Sequence, residues 1–139
     1  MTVGTDDLVK ALEDVVGAGQ VLSGDAISED LTHDEALGLP AVRPAAVVRP
    51  ASTDEVARLV RWACDNHVPV TARGSGTGLS GACIPHPEGI LISFERMRSI
   101  VEIDLANHVA VVQPGVTLSE LDEALRPHGL TYPVQPGEN

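Results

Sequence analysis

The chain has 139 residues and a formal net charge of −11, with 20 acidic residues against nine Lys and Arg. This length is typical of a single domain with one hydrophobic core. Only 2% of the residues are aromatic, so the core must be built from aliphatic side chains, and no platform for stacking nucleic-acid bases is present. The negative charge also repels polyphosphate at long range, so we expect no nucleic-acid partner.

Cysteine and hydropathy patterns indicate a cytoplasmic protein. Cys64 and Cys83 lie far apart without metal or redox spacing, so we expect buried thiols in a reducing compartment. No apolar run approaches the roughly 20 residues that span a bilayer. The five histidines show no paired spacing, so no metal site is predicted.

The apolar pattern predicts a helix at the start of the chain. Leu8 and Leu12 belong to a run of apolar residues at helical spacing, and Gly17 follows as a stop. The residues that follow, up to 46, are rich in Gly, Asp and Pro. We therefore divide off residues 1–46 as a helix and an irregular connection with at most a short strand.

A βαβ unit with parallel strands is predicted for residues 47–98. Val47-Val48-Arg49 is a short β run, and Ser52-Thr-Asp-Glu55 has the spacing of a capping box that opens a helix. The apolar face of that helix consists of Val56, Leu59, Val60 and Ala63. Further strands are expected at 68–71 and 89–93. The chain between the first two strands is long enough to cross back over a sheet, which favours a parallel arrangement.

Residues 99–139 are predicted to begin an antiparallel sheet. Two apolar runs flank Asp104-Leu-Ala-Asn-His108, whose composition is typical of a hairpin turn. A second capping box, Thr117-Leu-Ser-Glu120, opens another helix. The remaining residues are rich in Pro and Gly and carry no closing element, so we expect a truncated second subdomain.

The stretch Thr71-Ala-Arg-Gly-Ser-Gly-Thr-Gly-Leu-Ser-Gly81 contains G-x-G-x-x-G, the pattern of a Rossmann dinucleotide turn. In a Rossmann fold the third glycine leads straight into a helix. Here Pro85 and Pro87 follow, and they disfavour a helix. No Lys-Ser/Thr pair closes the glycines, which excludes a P-loop.

The glycine-rich stretch leaves two interpretations open. Glycines let successive N–H groups converge on an anion, and the Ser and Thr hydroxyls add donors, so the stretch could hold a cofactor phosphate. The alternative is a tight turn between strands whose Arg73 faces solvent.

Six motifs of the chain occur together in one known order. They are Pro50-Ala-Ser-Thr-Asp-Glu-Val56, Val70-Thr-Ala-Arg-Gly-Ser-Gly-Thr-Gly-Leu-Ser-Gly81, Ile92-Ser-Phe-Glu-Arg-Met97, Ile103-Asp104, Val112-Gln-Pro-Gly-Val-Thr117 and Tyr132-Pro-Val-Gln-Pro-Gly137. Over residues 33–139 the chain thereby resembles FAD-linked oxidases of the vanillyl-alcohol oxidase type, in particular the FAD-binding subunit of glycolate oxidase and its D-lactate dehydrogenase relatives. The resemblance implies an α+β, PCMH-type FAD-binding domain, with an N-terminal parallel βαβ subdomain and the start of an antiparallel second one.

The resemblance also implies the cofactor-binding residues. In this family the arginine-glycine loop wraps the FAD pyrophosphate, mainly through backbone amides. The matching positions are Arg73, Gly74, Ser75, Gly76, Thr77, Gly78, Ser80 and Gly81. Pro114 and Gly115 match a turn beside the cofactor, although a plain turn between strand and helix is an equal alternative. Pro133 to Gly137 match a segment along the flavin side of the cleft. Thr77 stands where some members carry the flavin-linking histidine, which implies noncovalent FAD.

The function implied by the resemblance is the N-terminal part of the FAD-binding domain of a flavin-dependent 2-hydroxy-acid dehydrogenase or oxidase. No catalytic residue is assigned, because the family's substrate-side residues lie in later regions, and the isolated chain is expected to be inactive. An iron-sulfur subunit, a peripheral position at the inner membrane and a homodimer through an exposed sheet edge are further hypotheses. Two alternatives stay open: a small nucleotide- or phosphate-binding module without redox activity, and a structural interaction domain.

Overall fold

The computed structural model describes residues 4–133, which form an α+β arrangement of helices and strands. In chain order the main elements of this region are α1 (Thr5–Val16), β1 (Val21–Leu22), β2 (Ala46–Val48), α2 (Thr53–Asp65), β3 (Val70–Arg73), β4 (Ile90–Ser93), β5 (Ile100–Asp104), β6 (Val109–Val112) and α3 (Leu118–Leu125). Within the described residues, no helix combines the length and the apolar character needed to cross a membrane.

The larger sheet has the strand order β1-β2-β4-β3. Strands β2 and β3 are both parallel to β4, and β1 joins the edge antiparallel to β2. The predicted parallel βαβ unit is thus confirmed, but β4 lies between its two strands. Every residue of β4 is buried, which explains its uninterrupted apolar run Ile90-Leu91-Ile92.

The core lies on both faces of this sheet, because alternate residues of a strand point to opposite sides. One face packs against both α1 and α2, through Leu8, Leu12, Val16, Leu59, Ala63, Ala46, Val48, Ile90 and Ile92. The other face places Val47 and Leu91 against Ile27, which belongs to the irregular connection. Helix α1 therefore shares one core with the βαβ unit.

Two side chains of α2 differ from the expected burial. The sequence pattern places Val60 on the apolar face, but its exposed fraction is 47%. The prediction of a buried thiol is wrong for Cys64, which is exposed. The buried stripe of α2 centres on Leu59 and Ala63, and the residue that follows each of them turns by about 100° toward solvent. Cys83 is half-buried.

Both predicted capping boxes open helices. At α3 the box is complete, because Thr117 accepts from the Glu120 amide and the Glu120 carboxylate accepts from the Thr117 amide. At α2 the Ser52 hydroxyl accepts from the Glu55 amide at 3.2 Å. The Glu55 carboxylate, however, reaches the Ala51 amide, at 2.7 Å, one residue before the expected donor.

The predicted hairpin is confirmed as the antiparallel pair β5–β6. Its turn is held by Asp104, whose Oδ1 accepts from the amides of Ala106 and Asn107, each at 3.0 Å. Among the described residues the hairpin stays a two-stranded sheet, and Val101, Val109 and Val111 are exposed on it.

The buried face of α1 makes a first prediction. Leu12 is 0% exposed, whereas Leu37 is 98% exposed, so the same truncation can be compared in the core and in solvent. Leu12→Ala is expected to lower the free energy of unfolding by about 2–5 kcal/mol, because it leaves a cavity. Leu37→Ala should change it by less than about 0.5 kcal/mol. Urea denaturation measures both, and equal effects would contradict the described core.

The α3 capping box makes a second prediction. Hydrogen bonds from the Thr117 backbone, then from Arg98 and from the Thr117 hydroxyl, hold the pKa of Glu120 below its ordinary value of 4.5. Because the pKa is lower in the folded chain, these bonds stabilise the fold above about pH 4.5, and their contribution disappears as the pH falls through the folded value. An NMR titration of the Glu120 carboxyl carbon should show the lowered pKa, and Arg98→Ala should raise it. A Glu120 pKa at or above 4.5 would refute the described cap.

Candidate functional site

The connection between β3 and β4, residues 74–89, contains no helix. Most of the predicted site residues lie together at its start, and we call residues 74–82 the glycine loop. The chain after Gly81 runs through bends and turns, and Asp104 lies at the β5–β6 turn. The prediction that this is not a Rossmann turn is therefore confirmed.

The main-chain N–H groups of the glycine loop have no acceptor among residues 4–133. Within the described part of the chain, none of the amides of residues 74–82 donates a hydrogen bond, and the first engaged amide is that of Cys83. Gly76 and Gly81 adopt positive φ angles of 80° and 75°. Left-handed positions of this kind occur in loops whose neighbouring N–H groups converge on an anion.

The Arg73 side chain lies beneath the glycine loop. It is only 7% exposed, and its Nη1 donates to the His33 carbonyl at 2.6 Å. A Cβ built at Gly76 would lie 2.1 Å from Nη2 and 2.2 Å from Cζ of Arg73. The alternative in which Arg73 faces solvent is therefore wrong, and a side chain at position 76 would have to displace the guanidinium and adopt a strained positive φ.

A segment far away in sequence supports the loop from behind, and we call residues 33–36 the backing segment. The Glu35 amide donates to the Gly78 carbonyl at 3.0 Å. Asp34 is 6% exposed; its Oδ2 accepts from the Cys83 amide at 3.3 Å and its Oδ1 from the Ala36 amide at 3.1 Å. The local sequence gives no signal for this support, because Asp34 and Cys83 are 49 positions apart.

The Pro114–Gly115 turn lies beside the start of the glycine loop. A Cβ at Gly74 would meet the Pro114 carbonyl at 3.6 Å. The Gly115 amide donates to the Met97 carbonyl at 2.9 Å, and a Cβ at Gly115 would lie 2.1 Å from the Phe94 carbonyl. The structure thus brings this predicted pair next to the loop.

Pro133 lies in a different region, beside α3 and the hairpin. Together with Tyr132 it lines a cavity of about 330 Å³ between these elements. The Tyr132 amide donates to Asp122 of α3 at 3.1 Å. Gly137, also predicted as a cofactor contact, lies outside the described residues.

Charges near the loop are of both signs. The pKa of Asp30 is lowered, first by a hydrogen bond with the Ser28 side chain and also by the positive charge of Arg73. Within residues 4–133, no three His, Cys, Asp or Glu side chains are arranged to hold a metal ion. The loop combines main-chain donors, the exposed hydroxyls of Ser75, Thr77 and Ser80, and one buried cation. Groups of these types are the ones that proteins use to bind anions by hydrogen bonds and charge.

Comparisons with known proteins identify the family. Residues 44–139 match the sequence model of the FAD binding domain. The chain is 52% identical to an FAD-linked oxidoreductase of Mycobacterium tuberculosis, over 95% of this chain and 29% of that protein. It is 37% identical to a D-lactate dehydrogenase of Anaerostipes hadrus, over 96% and 28%, and 34% identical to the glycolate oxidase subunit GlcD of Escherichia coli, over 96% and 27%. The chain therefore spans under a third of the length of these relatives.

The fold also resembles a solved structure. The chain superimposes on p-cresol methylhydroxylase with a TM-score of 0.74 and 19% sequence identity, covering 90% of this chain and 25% of that one. The PCMH-type fold expected from the sequence is confirmed, as is the resemblance to FAD-linked oxidases. Since the family model covers most of the chain, the protein belongs to the FAD binding domain family of FAD-linked oxidoreductases.

Proposed function

We propose that the chain forms the N-terminal part of the FAD-binding domain of a flavin-dependent dehydrogenase or oxidase that acts on a 2-hydroxy acid. The observation that carries the proposal is the run of amides at residues 74–82, which have no protein acceptor among the described residues, together with the close approach of Gly76 to the buried Arg73 side chain. This glycine loop holds the FAD pyrophosphate noncovalently.

Individual residues take different parts in holding the pyrophosphate. The loop amides donate to the phosphate oxygens, and the exposed hydroxyls of Ser75, Thr77 and Ser80 add donors. Arg73 supplies positive charge from below without leaving its bond to His33. Pro114 and Gly115 border the start of the loop, and the segment from Pro133 to Gly137 takes the flavin side of the cleft.

The substrate class rests on the relatives, one of them a D-lactate dehydrogenase and another a glycolate oxidase subunit. Bound FAD would supply the hydride acceptor for oxidation of the hydroxy acid at its α-carbon. We assign no catalytic residue within this chain. The groups that hold the substrate carboxylate and take the hydroxyl proton belong to the remainder of the enzyme.

The proposal includes further protein surfaces. The exposed valines of the β5–β6 hairpin support the proposal that further strands of a longer protein pair with this hairpin and cover it. An apolar strand edge left unpaired is prone to associate with other chains. In the isolated fragment, where those strands are lacking, the same edge is proposed to form a homodimer. An iron-sulfur subunit and a cytoplasmic location at the inner surface of the membrane belong to the same proposal. Light scattering would reveal the dimer as a doubled mass.

The alternative of a phosphate-binding module without redox activity is less favoured. The glycine loop alone would hold any ligand with a phosphate group, but the family match extends from residue 44 to residue 139 and so reaches well beyond the loop.

The function is tested on the purified complete enzyme. We expect FAD that acid precipitation releases in full, because Thr77 offers no imidazole for a covalent link. We also expect bleaching of the flavin absorbance near 450 nm by D-lactate or glycolate under anaerobic conditions. Protein without flavin would refute the FAD site, flavin retained in the acid pellet would refute noncovalent binding, and bleaching by neither acid would refute the substrate class.

The close approach of Gly76 and Arg73 makes a further prediction. Gly76→Ala places a methyl group on the guanidinium and strains a positive φ, so it should displace Arg73 and weaken FAD binding by tenfold or more, roughly 1.4 kcal/mol. Gly38→Ala is the matched control, since Gly38 has a φ of 78° but nothing within 4 Å of the new Cβ. It should lower stability by about 1 kcal/mol and leave FAD affinity unchanged. Fluorescence titration with FAD compares them, and equal affinities would contradict the role of Arg73.

A further inference from the structure

We propose that Asp34 is a positioning residue that fixes the glycine loop in the conformation that receives the pyrophosphate. This inference rests on the proposed function, because it assumes that the loop binds FAD. Asp34 would not touch the cofactor. It would act through the main chain of the loop and the residues next to it.

The first argument is that the backing segment is bonded to the start, the middle and the end of the loop. The His33 carbonyl accepts from Arg73, which precedes the loop. The Glu35 amide bonds the Gly78 carbonyl in the middle, and the Asp34 carboxylate bonds the Cys83 amide just past the end. Three consecutive residues are thereby bonded to three separate points along the stretch from Arg73 to Cys83.

The second argument is the chemistry of the buried carboxylate. An ionised group removed from water must be compensated by hydrogen bonds. Each oxygen of Asp34 accepts from a different backbone amide, Oδ1 from Ala36 and Oδ2 from Cys83. An asparagine at this position has a single acceptor oxygen, so one of the two amides would face an NH₂ group instead. The site therefore requires a carboxylate for its two acceptors.

The third argument is electrostatic. A negative charge behind an anion-binding loop weakens anion binding through its charge alone, so a carboxylate there needs a structural reason. A Cβ at Gly78 would lie only 3.7 Å from the Asp34 Oδ2, which places this charge against the loop backbone. If charge decided the affinity, removing Asp34 would tighten FAD binding, whereas loss of positioning would weaken it. The sign of the effect separates the two.

The test compares Asp34→Asn with Asp30→Asn in the complete protein. Asp30 is exposed and lies close enough to Arg73 to feel its charge, so its substitution removes one negative charge near the loop without breaking a bond to it. We expect Asp34→Asn to weaken FAD binding by about tenfold. Asp30→Asn should leave the affinity equal or slightly higher. Equal or tighter FAD binding by Asp34→Asn would overturn the proposal.

A second readout does not depend on flavin. In flavin-free protein, hydrogen–deuterium exchange of peptides that contain Glu35 and Cys83 should become faster in Asp34→Asn, while peptides from α2 exchange as before. The Glu35 amide is informative because its acceptor is the Gly78 carbonyl and not the substituted side chain. Unchanged exchange at Glu35 would overturn the proposal.

A folding failure of the variant and a failure of the proposed function can each be distinguished from a failure of the positioning role. If Asp34→Asn does not fold, Asp34→Ser replaces it, because a serine hydroxyl can still accept from the amide two residues on but is too short for Cys83. The expectations for Asp34→Ser are the same. If the wild-type protein binds no FAD, the proposed function fails and the positioning role fails with it. If the wild-type protein binds FAD and Asp34→Asn binds it with the same affinity, only the positioning role fails.

Discussion

The position of β4 in the sheet constrains the path of the whole chain. β4 lies between β2 and β3 and is parallel to both. The chain that leaves the carboxyl end of β3 must therefore return to the amino-terminal end of the strands before β4 begins. Residues 74–89 make this return without a helix. A helix would use most of its amides internally. A connection without a helix leaves backbone N–H groups available at the carboxyl end of the parallel strands, where ligands of such sheets commonly bind.

The loop is supported by two buried charges of opposite sign that bond the main chain. Arg73 donates from the sheet to the backing segment, and Asp34 accepts from the chain that follows the loop. Among the described residues the ion pairs are Arg49–Glu95 and Arg98–Glu120, so these two charges do not form a salt bridge with each other. Each charge therefore fixes a piece of backbone, and the guanidinium also occupies the space that any side chain at position 76 would need.

Features that depend on neighbouring residues could be predicted from the sequence. The side-chain caps of α2 and α3, the Asp104 turn and the lack of a helix after Gly81 follow from local chemistry, and the structure has all of them, although the reciprocal capping box is complete only at α3. The order of the strands could not be predicted, because the register Ala46↔Ile90 and Val70↔Ile90 joins residues distant in sequence. The burial of Arg73 and the contacts of Asp34 could not be predicted for the same reason, because their hydrogen-bond partners lie 40 and 49 positions away in the sequence.

The backing segment also affects where a self-sufficient domain must begin. The match to the family begins at residue 44, after α1, β1 and the three residues that hold the glycine loop. A recombinant chain begun at that boundary would keep every glycine of the motif and lose the groups that shape it. Transfer of the loop into another scaffold, or exchange of this region between related enzymes, should therefore carry residues 33–36 along with it. In this chain the region matched by the family model therefore leaves out residues that hydrogen-bond the glycine loop and the chain at its two ends.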